Sequence, residues 1–594
     1  MRKNQIAAVV LGSVLTASLS MTGCGDTSGE TTAVQTEKQT ERNTGTETEE
    51  KGSEEGTKSG EESTDSSKTG DKIGNGETLV IGIQTNSFIE DYKDNYLTKK
   101  LEEDLDVNLE FYELPQTGAD LQSKISLMVT NPDNLPDIII TTSLTPEAVL
   151  DYGSKGAFIP LNAYYEDKNM AKYLSQIQED DLNRIFKDMT SADGNMYALP
   201  NYSMATWNMT TNRYYINQAW LDQLGLEVPE TTEELREVLN AFISQDPNGN
   251  GQADEIGIFG QASGTYGEDI IDALINSFVF YNGGKQNGGL ALDESGKNVV
   301  APYTTEEWRE ALRYLHSLYE DGVIDPSTFT NDATQFKATL NSETPIVGLT
   351  TAGSYSGNWT DCDNNENFLE MDMIAPFTGP NGVCYTPYTE YASTPAFFIT
   401  SKCQNPELAF RLGDYFYKPE ISHTARWGEE GVDWTSDPEI CKDYTNGYIK
   451  AGLADEITLL SLTNVWSEPS SQFWHNVNPF YESLDDSNSN TSALSPYDEN
   501  TKSAPLNARN VELYLDKHPD KVLPLLHYTQ EEAQQVSQII ADITDFVEST
   551  KAEFITGNRD IENGWDSYLE ELNNLGLQEW IAVAQTAYER SLEQ

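Results

Sequence analysis

Strand-like and helix-like segments alternate from residue 78 onward, and that alternation predicts an α/β fold built on a largely parallel sheet. Two further observations support it. The strand candidates are short β-branched runs of the buried kind, and the roughly five hundred residues after the N-terminal region have room for two or three domains. A hydrophobic content of 37% and an aromatic content of 10% are enough for sizeable cores.

The body opens with a strand over 78–83, a helix over 96–105 and a second strand over 107–112, a β-α-β start. A helix over 120–129 leads through Asn131-Pro132-Asp133 to a third short strand at 135–140. Further on, Thr304 and Glu307 read as a capping box. The helix they open sets Trp308, Leu312, Leu315 and Tyr319 on one face, and Asp321-Gly322 and Asp325-Pro326 close it. Those aromatic residues read as core. The last third reads as helices over 531–555, 565–575 and 578–592, with Gly557, Gly564 and Gly576 as breaks. No repeat period is evident.

The N-terminus reads as an export signal, with Arg2 and Lys3 ahead of an apolar run over 6–19 that ends at Ser20-Met21-Thr22-Gly23. The run is shorter than the ~20 residues that span a bilayer. Met21-Thr22-Gly23-Cys24 resembles the lipobox of bacterial lipoproteins, which makes Cys24 the lipidation site; the alternative is an ordinary signal peptide with a chance cysteine. The following segment, 25–77, has Ala33, Val34 and Ile73 as its only aliphatic residues. Such a stretch buries too little apolar surface to offset its chain entropy, and it suits a flexible tether.

A net charge of −60 repels phosphate backbones and anionic lipid, which excludes nucleic acid as a partner and leaves membrane contact to the lipid anchor. Beyond Cys24 there are four cysteines, Cys362, Cys384, Cys403 and Cys441, for which disulfides and buried thiols both remain open. No CxxC or Cys/His zinc spacing occurs.

The segment from Asp246 to Glu255 places oxygen-bearing side chains at alternate positions, with Gly251 at the sixth place, where an EF-hand loop turns sharply. Asp246, Asn248, Asn250, Asp254 and Glu255, with the Gln252 carbonyl, supply the oxygens a calcium ion prefers. The twelfth place is Gly257, so Glu255 takes the part of the missing acid and a structural calcium site is expected rather than a sensor. The competing interpretation is a polar turn in which Asn, Asp and Gly cap their neighbours.

The stretch from Tyr215 through Asn217, Trp220-Leu221-Asp222, Leu224-Gly225-Leu226, Pro229, Thr231, Leu235 and Phe242 into the Asp246 loop resembles the extracellular solute-binding proteins of family 1. These are lipoprotein components of carbohydrate ABC importers. Further matches are Asn195-Met196-Tyr197 with Leu199-Pro200, Leu318 to Pro326, Phe554 to Gly557, and Trp565-Asp566 with Tyr568. The resemblance implies a two-lobed, periplasmic-binding-protein-like α/β fold with a hinge and an interlobe ligand cleft. It also implies calcium at the loop positions already named. On the family plan the chain divides into a signal peptide (1–23), a lipid-anchored tether (24–77), a first lobe (78–203 and 348–427) and a second lobe (204–347 and 428–594), with crossings near Met204, Gly348 and Trp427.

Sugars present apolar C–H faces ringed by hydroxyls, so their sites combine flat aromatic rings with short polar side chains. Such clusters occur at Tyr202 with Trp207 and Asn208, at Tyr355 with Asn358 and Trp359, at Trp427 with Glu429 and Trp434, and at Trp466 with Trp474 and His475. The candidate ligand residues are Trp207, Asn208, Tyr355, Trp359, Trp427, Trp466 and Trp474; for each, burial in a core is the competing explanation. The expectation is a monomeric, non-enzymatic lipoprotein at the extracellular face of the cell membrane. It would bind an oligosaccharide by lobe closure and deliver it to ABC permease subunits. A secreted glycoside hydrolase and a peptide receptor of similar build are the alternatives. The 97 acidic residues make carboxylate pairs inevitable and so discriminate nothing.

Overall fold

The computed structural model describes residues 71–593 apart from 262–263, 265, 285–286, 363, 390–392, 464 and 466–469. The expected signal segment, Cys24 and nearly all of the tether lie outside the described residues. The β-α-β opening is present. Glu77–Gln84 pairs in parallel with Val107–Leu114 across the Tyr96–Leu105 helix, whose first turn is capped by Asn95 Oδ1 accepting from Leu97 N at 3.1 Å. Ile138–Ile140 joins the other side of the first strand, Ile81 facing Ile138. This third strand begins later than expected because Pro136 has no N–H to give a ladder.

The first sheet has six strands in the order Phe480–Glu482, Leu199–Ser203, Thr394–Ile399, Ile138–Ile140, Glu77–Gln84, Val107–Leu114. Only Thr394–Ile399 runs antiparallel to its neighbours. Pro395 stands opposite Pro200, where neither residue can donate, and the register shifts between Pro395 and Phe397. One core covers this sheet, with Ile81, Leu101, Ile139, Phe398 and Phe410 completely enclosed.

A second sheet of four strands runs Met371–Ile374, Tyr214–Asn217, Val347–Thr351, Ile256–Ile258. Its core is separate and takes in Trp220, Phe242, Leu315 and Leu349, together with the long helix Gln530–Thr556 and the final helix Leu577–Ser591. A third, small sheet of Trp434–Thr435, Leu459–Ser461 and Asn490–Ser492 has its own cluster around Cys441, Ile457 and Leu460.

The expected crossing at Gly348 is corrected by this pairing. Val347–Thr351 is buried at all five residues within the second sheet, and Met371–Ile374 also belongs there, so the chain returns to the first sheet only between Ile374 and Thr394. Residues 428–594 are likewise not one second-lobe block: 434–492 build the small sheet and Phe480–Glu482 rejoins the first. Two local expectations also shift. The Glu306–Glu320 helix is capped by Thr305 accepting from Trp308 N at 3.3 Å, while Thr304 Oγ1 donates to Ala301 O. Gly564 sits inside the Ile561–Asn574 helix; the breaks are Gly557 and Gly576, both left-handed at φ 76° and 102°. Among the described residues no disulfide forms, and Cys441 is a buried thiol.

A candidate ligand cleft and a cation loop

In open α/β sheets ligands sit beyond the carboxyl ends of parallel strands. Here the ends of Glu77–Gln84, Val107–Leu114 and Ile138–Ile140 are followed by Thr85-Asn86, Gln116 and Thr142. With Asn201, His475 and Asn476 these line a cavity of about 560 Å³. Gln84 closes its floor: its amide donates to Gln116 O and Ser143 Oγ, both at 2.9 Å, and its Oε1 accepts from Thr141 Oγ1 at 2.6 Å. His475 stacks on Phe88 with centroids 4.9 Å apart, and its Nδ1 lies 3.0 Å from Asn86 Nδ2. Burial holds this imidazole below the ordinary histidine range. His475 and Asn476 both adopt positive φ, 51° and 59°, a backbone cost that clusters at binding sites. Asn476 Oδ1 is buried and, among the described residues, accepts no hydrogen bond.

A second cavity, of about 440 Å³, has walls from three places. Trp427 ends the Pro419–Trp427 helix, which packs into the first core through Ile421 and Ala425. Tyr355 packs against the second core, and Asn507 lies on the Leu506–Tyr514 helix anchored there. Asn446, Ser461, Asn490 and Tyr497 come from the small-sheet region. Asn446 is locked in orientation, donating to Asn488 O at 2.8 Å and Asn490 O at 2.9 Å while capping Ile449 N. Tyr355 stacks on Phe368 at 5.5 Å and meets the edge of Trp207 at 6.2 Å.

Behind these rings the buried Arg213 guanidinium lies 3.5 Å over Trp207 and donates to Asn510 Oδ1 and Gly353 O, each at 2.6 Å, and to Trp207 O. Such saturation lets a charge stay buried. Tyr266 Oη donates to the exposed Asn208. Among the described residues, no Asp, Glu, Lys or Arg lines either cavity.

The structure thus brings Tyr355 and Trp427 to one cavity, with Trp207 against the Tyr355 edge and Asn208 beside it. Two expected ligand residues are corrected. Trp359 is 1% exposed, wedged between Tyr215 and Phe368, and Trp474 is 0% exposed between Phe111 and Phe416 with its indole N–H donated to Thr98 Oγ1 at 3.0 Å. Each fills a core, so neither offers a face to ligand. Tyr202 and Trp434 are buried too. Trp466 lies outside the described residues. Sequence reasoning missed Tyr497, Asn446, Asn490 and Asn507; the Asn488-Ser489-Asn490-Thr491-Ser492 run was the one available signal.

The 246–255 loop joins the helix Thr232–Ser244 to the strand Ile256–Ile258 of the second sheet. Asp246, Gly249 and Gly251 take positive φ, and Asx turns follow, with Asn248 Oδ1 accepting from Asn250 N and Asn250 Oδ1 from Gln252 N. Asp254 is engaged by the Asn248 and Asn250 amides at 3.0–3.1 Å, and Asp246 by Gly251 N. In this arrangement no group of three acidic, His or Cys side chains among the described residues stands ready to hold a metal. One feature still fits a hard cation. Glu255 Oε1 is buried without a hydrogen-bond partner, and burial first, then the charges of Asp246 and Asp254, push its carboxyl above the ordinary range.

Known proteins match the chain closely enough to compare. The family model described as bacterial extracellular solute-binding protein matches residues 83–422. The fructooligosaccharide ABC transporter substrate-binding protein FusA of Streptococcus pneumoniae serotype 4 is 25% identical over 517 residues, covering 84% of this chain and 88% of that protein. The solved structure of FusA in complex with kestose has a TM-score of 0.67 at 24% identity, over 87% of this chain and 99% of that one. A FusA EF-hand mutant in complex with fructo-nystose gives 0.66 at the same identity and coverage. Alginate-binding protein AlgQ2, solved without calcium ion, gives 0.61 at 20% identity, over 88% of this chain and 99% of that one. Lipoprotein LipO of Bacillus subtilis is 27% identical over 245 residues, 40% of this chain and 44% of that protein.

Proposed function

The chain belongs to the bacterial extracellular solute-binding proteins, and from that premise we propose that it is a monomeric surface receptor that captures an oligosaccharide between its lobes and hands it to the permease of an ABC importer. The carrying observation is the 440 Å³ cavity with Trp427 on one lobe and Tyr355 and Asn507 on the other. Rings set among amides and hydroxyls suit sugar C–H faces and hydroxyls, and contacts that need both lobes exist only when they meet, so ligand shifts the population toward closure. FusA, by its name a fructooligosaccharide binder, supports the sugar class.

In this reading the segments between Ser203 and Tyr214, Ile374 and Thr394, and Glu482 and Leu506 are the hinge crossings. Cys24 carries the lipid that holds the receptor at the outer face of the membrane, a role supported by the LipO likeness. Asp246, Asn248, Asn250, the Gln252 carbonyl, Asp254 and Glu255 hold a structural calcium ion. That ion would neutralise the crowded carboxylates and fix the helix-to-strand turn. It takes no part in ligand capture.

The reading includes no catalysis, and a glycosidase would need two carboxyls flanking the scissile bond. The test is a thermal-shift and calorimetry panel of glycans and peptides on the purified chain, with product analysis. Saturable binding of an oligosaccharide without turnover is expected. Binding confined to peptides, or shortening of the glycan, would overturn it.

A further inference from the structure

We infer that the ligand is an uncharged oligosaccharide, and that the cleft discriminates against sugars carrying carboxylate or sulfate groups. This rests on the sugar-receptor reading above and narrows it. Asp, Glu, Lys and Arg make up 23% of the chain, yet none of them is among the described residues lining either cavity. What lines them is amide, hydroxyl and ring. Asn and Gln side chains donate and accept at once, which matches the dual character of a sugar hydroxyl, whereas a carboxylate only accepts. Asn476 Oδ1, a buried acceptor without a partner among the described residues, needs a donor, which a sugar hydroxyl supplies.

Basic groups around these walls make contacts elsewhere, and Lys502, between the lining residues Thr501 and Ser503, donates to Leu369 O at 3.1 Å. Arg213 donates to Asn510, Gly353 and Trp207, Arg426 Nε pairs with Glu482 at 3.2 Å, and Arg509 pairs with Asp372 at 2.6 Å. The Lys450 ammonium stands 5.9 Å from the centroid of the Tyr497 ring and does not line the cavity. His475, the imidazole among the described lining residues, is held below the ordinary histidine range by burial. An anionic sugar would therefore meet no charged partner among the described lining residues, inside a chain whose net charge of −60 already repels it.

The experiment is calorimetry on the tether-free body with two matched sets: neutral trisaccharides of fructosyl, glucosyl, galactosyl and mannosyl units, and trigalacturonate with a sulfated trisaccharide. At least one neutral sugar is expected to bind, the anionic set more weakly by ~100-fold or more. Neutral-sugar affinity should change less than about twofold between low and high salt, since no ionised partner among the described lining residues is screened. Tight trigalacturonate binding that weakens with salt would overturn this inference and leave the receptor reading standing. Silence toward every saccharide would sink both. A Lys450→Met variant adds a control: if it abolishes binding of an anionic sugar, the charge was read by Lys450 and the inference fails.

Discussion

Trp359 and Trp427 are both indoles flanked by polar residues, and only their surroundings separate them. Trp359 touches Tyr215 and Phe368 and is all but sealed from solvent. Trp427 is half-buried at a helix end and lines the 440 Å³ cavity. Truncating a sealed tryptophan leaves a void that the core closes only in part, so Trp359→Ala is expected to lower unfolding free energy by about 3–5 kcal/mol in denaturant titration. Trp427→Ala should leave that titration within roughly 1 kcal/mol of wild type and weaken oligosaccharide binding tenfold or more, about 1.4 kcal/mol of lost ring contact. The opposite pattern would remove Trp427 from the site. Sequence context does not distinguish the two residues, because an aromatic with polar groups nearby, Asn358 for one and Arg426 and Glu429 for the other, reads the same on a cleft wall and on a core edge.

At the scale of elements, the 246–255 loop carries its own pH logic. The Glu255 carboxyl lies above its unfolded range, so in metal-free protein its ionisation costs stability as pH rises through the carboxylate range. Glu255→Gln removes that cost. In EDTA at pH 7 the variant should melt no lower than wild type, and near pH 4 the two should converge. Calcium reverses the order. At free ion 100-fold above its Kd wild type should gain about 2.7 kcal/mol and the variant little or none. Equal calcium shifts in both proteins would remove Glu255 from the ligand set. The turn in this loop was legible because Asx bonds are local, Asn248 to Asn250 N and Asn250 to Gln252 N. Strands and helices were legible for the same reason, the 96–105 helix and 107–112 strand matching Tyr96–Leu105 and Val107–Leu114. Partnership was not. A fully buried run such as Val347–Thr351 shows no alternation that names its sheet, and Thr304 and Thr305 are equivalent caps until the backbone chooses.

For the whole molecule, the decisive property is that Tyr355 packs against one core and Trp427 ends a helix anchored in the other, yet both line one cavity. A ligand touching both is bound more tightly by the closed arrangement than by the open one, and it moves the equilibrium by no more than that difference in affinity. Small-angle scattering on the tether-free body should therefore show a radius of gyration that falls saturably as the oligosaccharide is added, with a midpoint matching the calorimetric Kd. Hydrogen exchange should slow at Tyr355–Asn358 and at Leu459–Ser461 over the same range, since closure takes both from solvent. Replacing Trp427 alone removes one wall's grip, so the same ligand concentration should yield less compaction while the saturating endpoint stays the same. Replacing Tyr355 and Trp427 together should abolish compaction at concentrations that saturate wild type. Binding with no change in scattering or exchange would mean that one lobe holds the sugar by itself. The three-sided cavity would then be a feature of the fold with no part in capture.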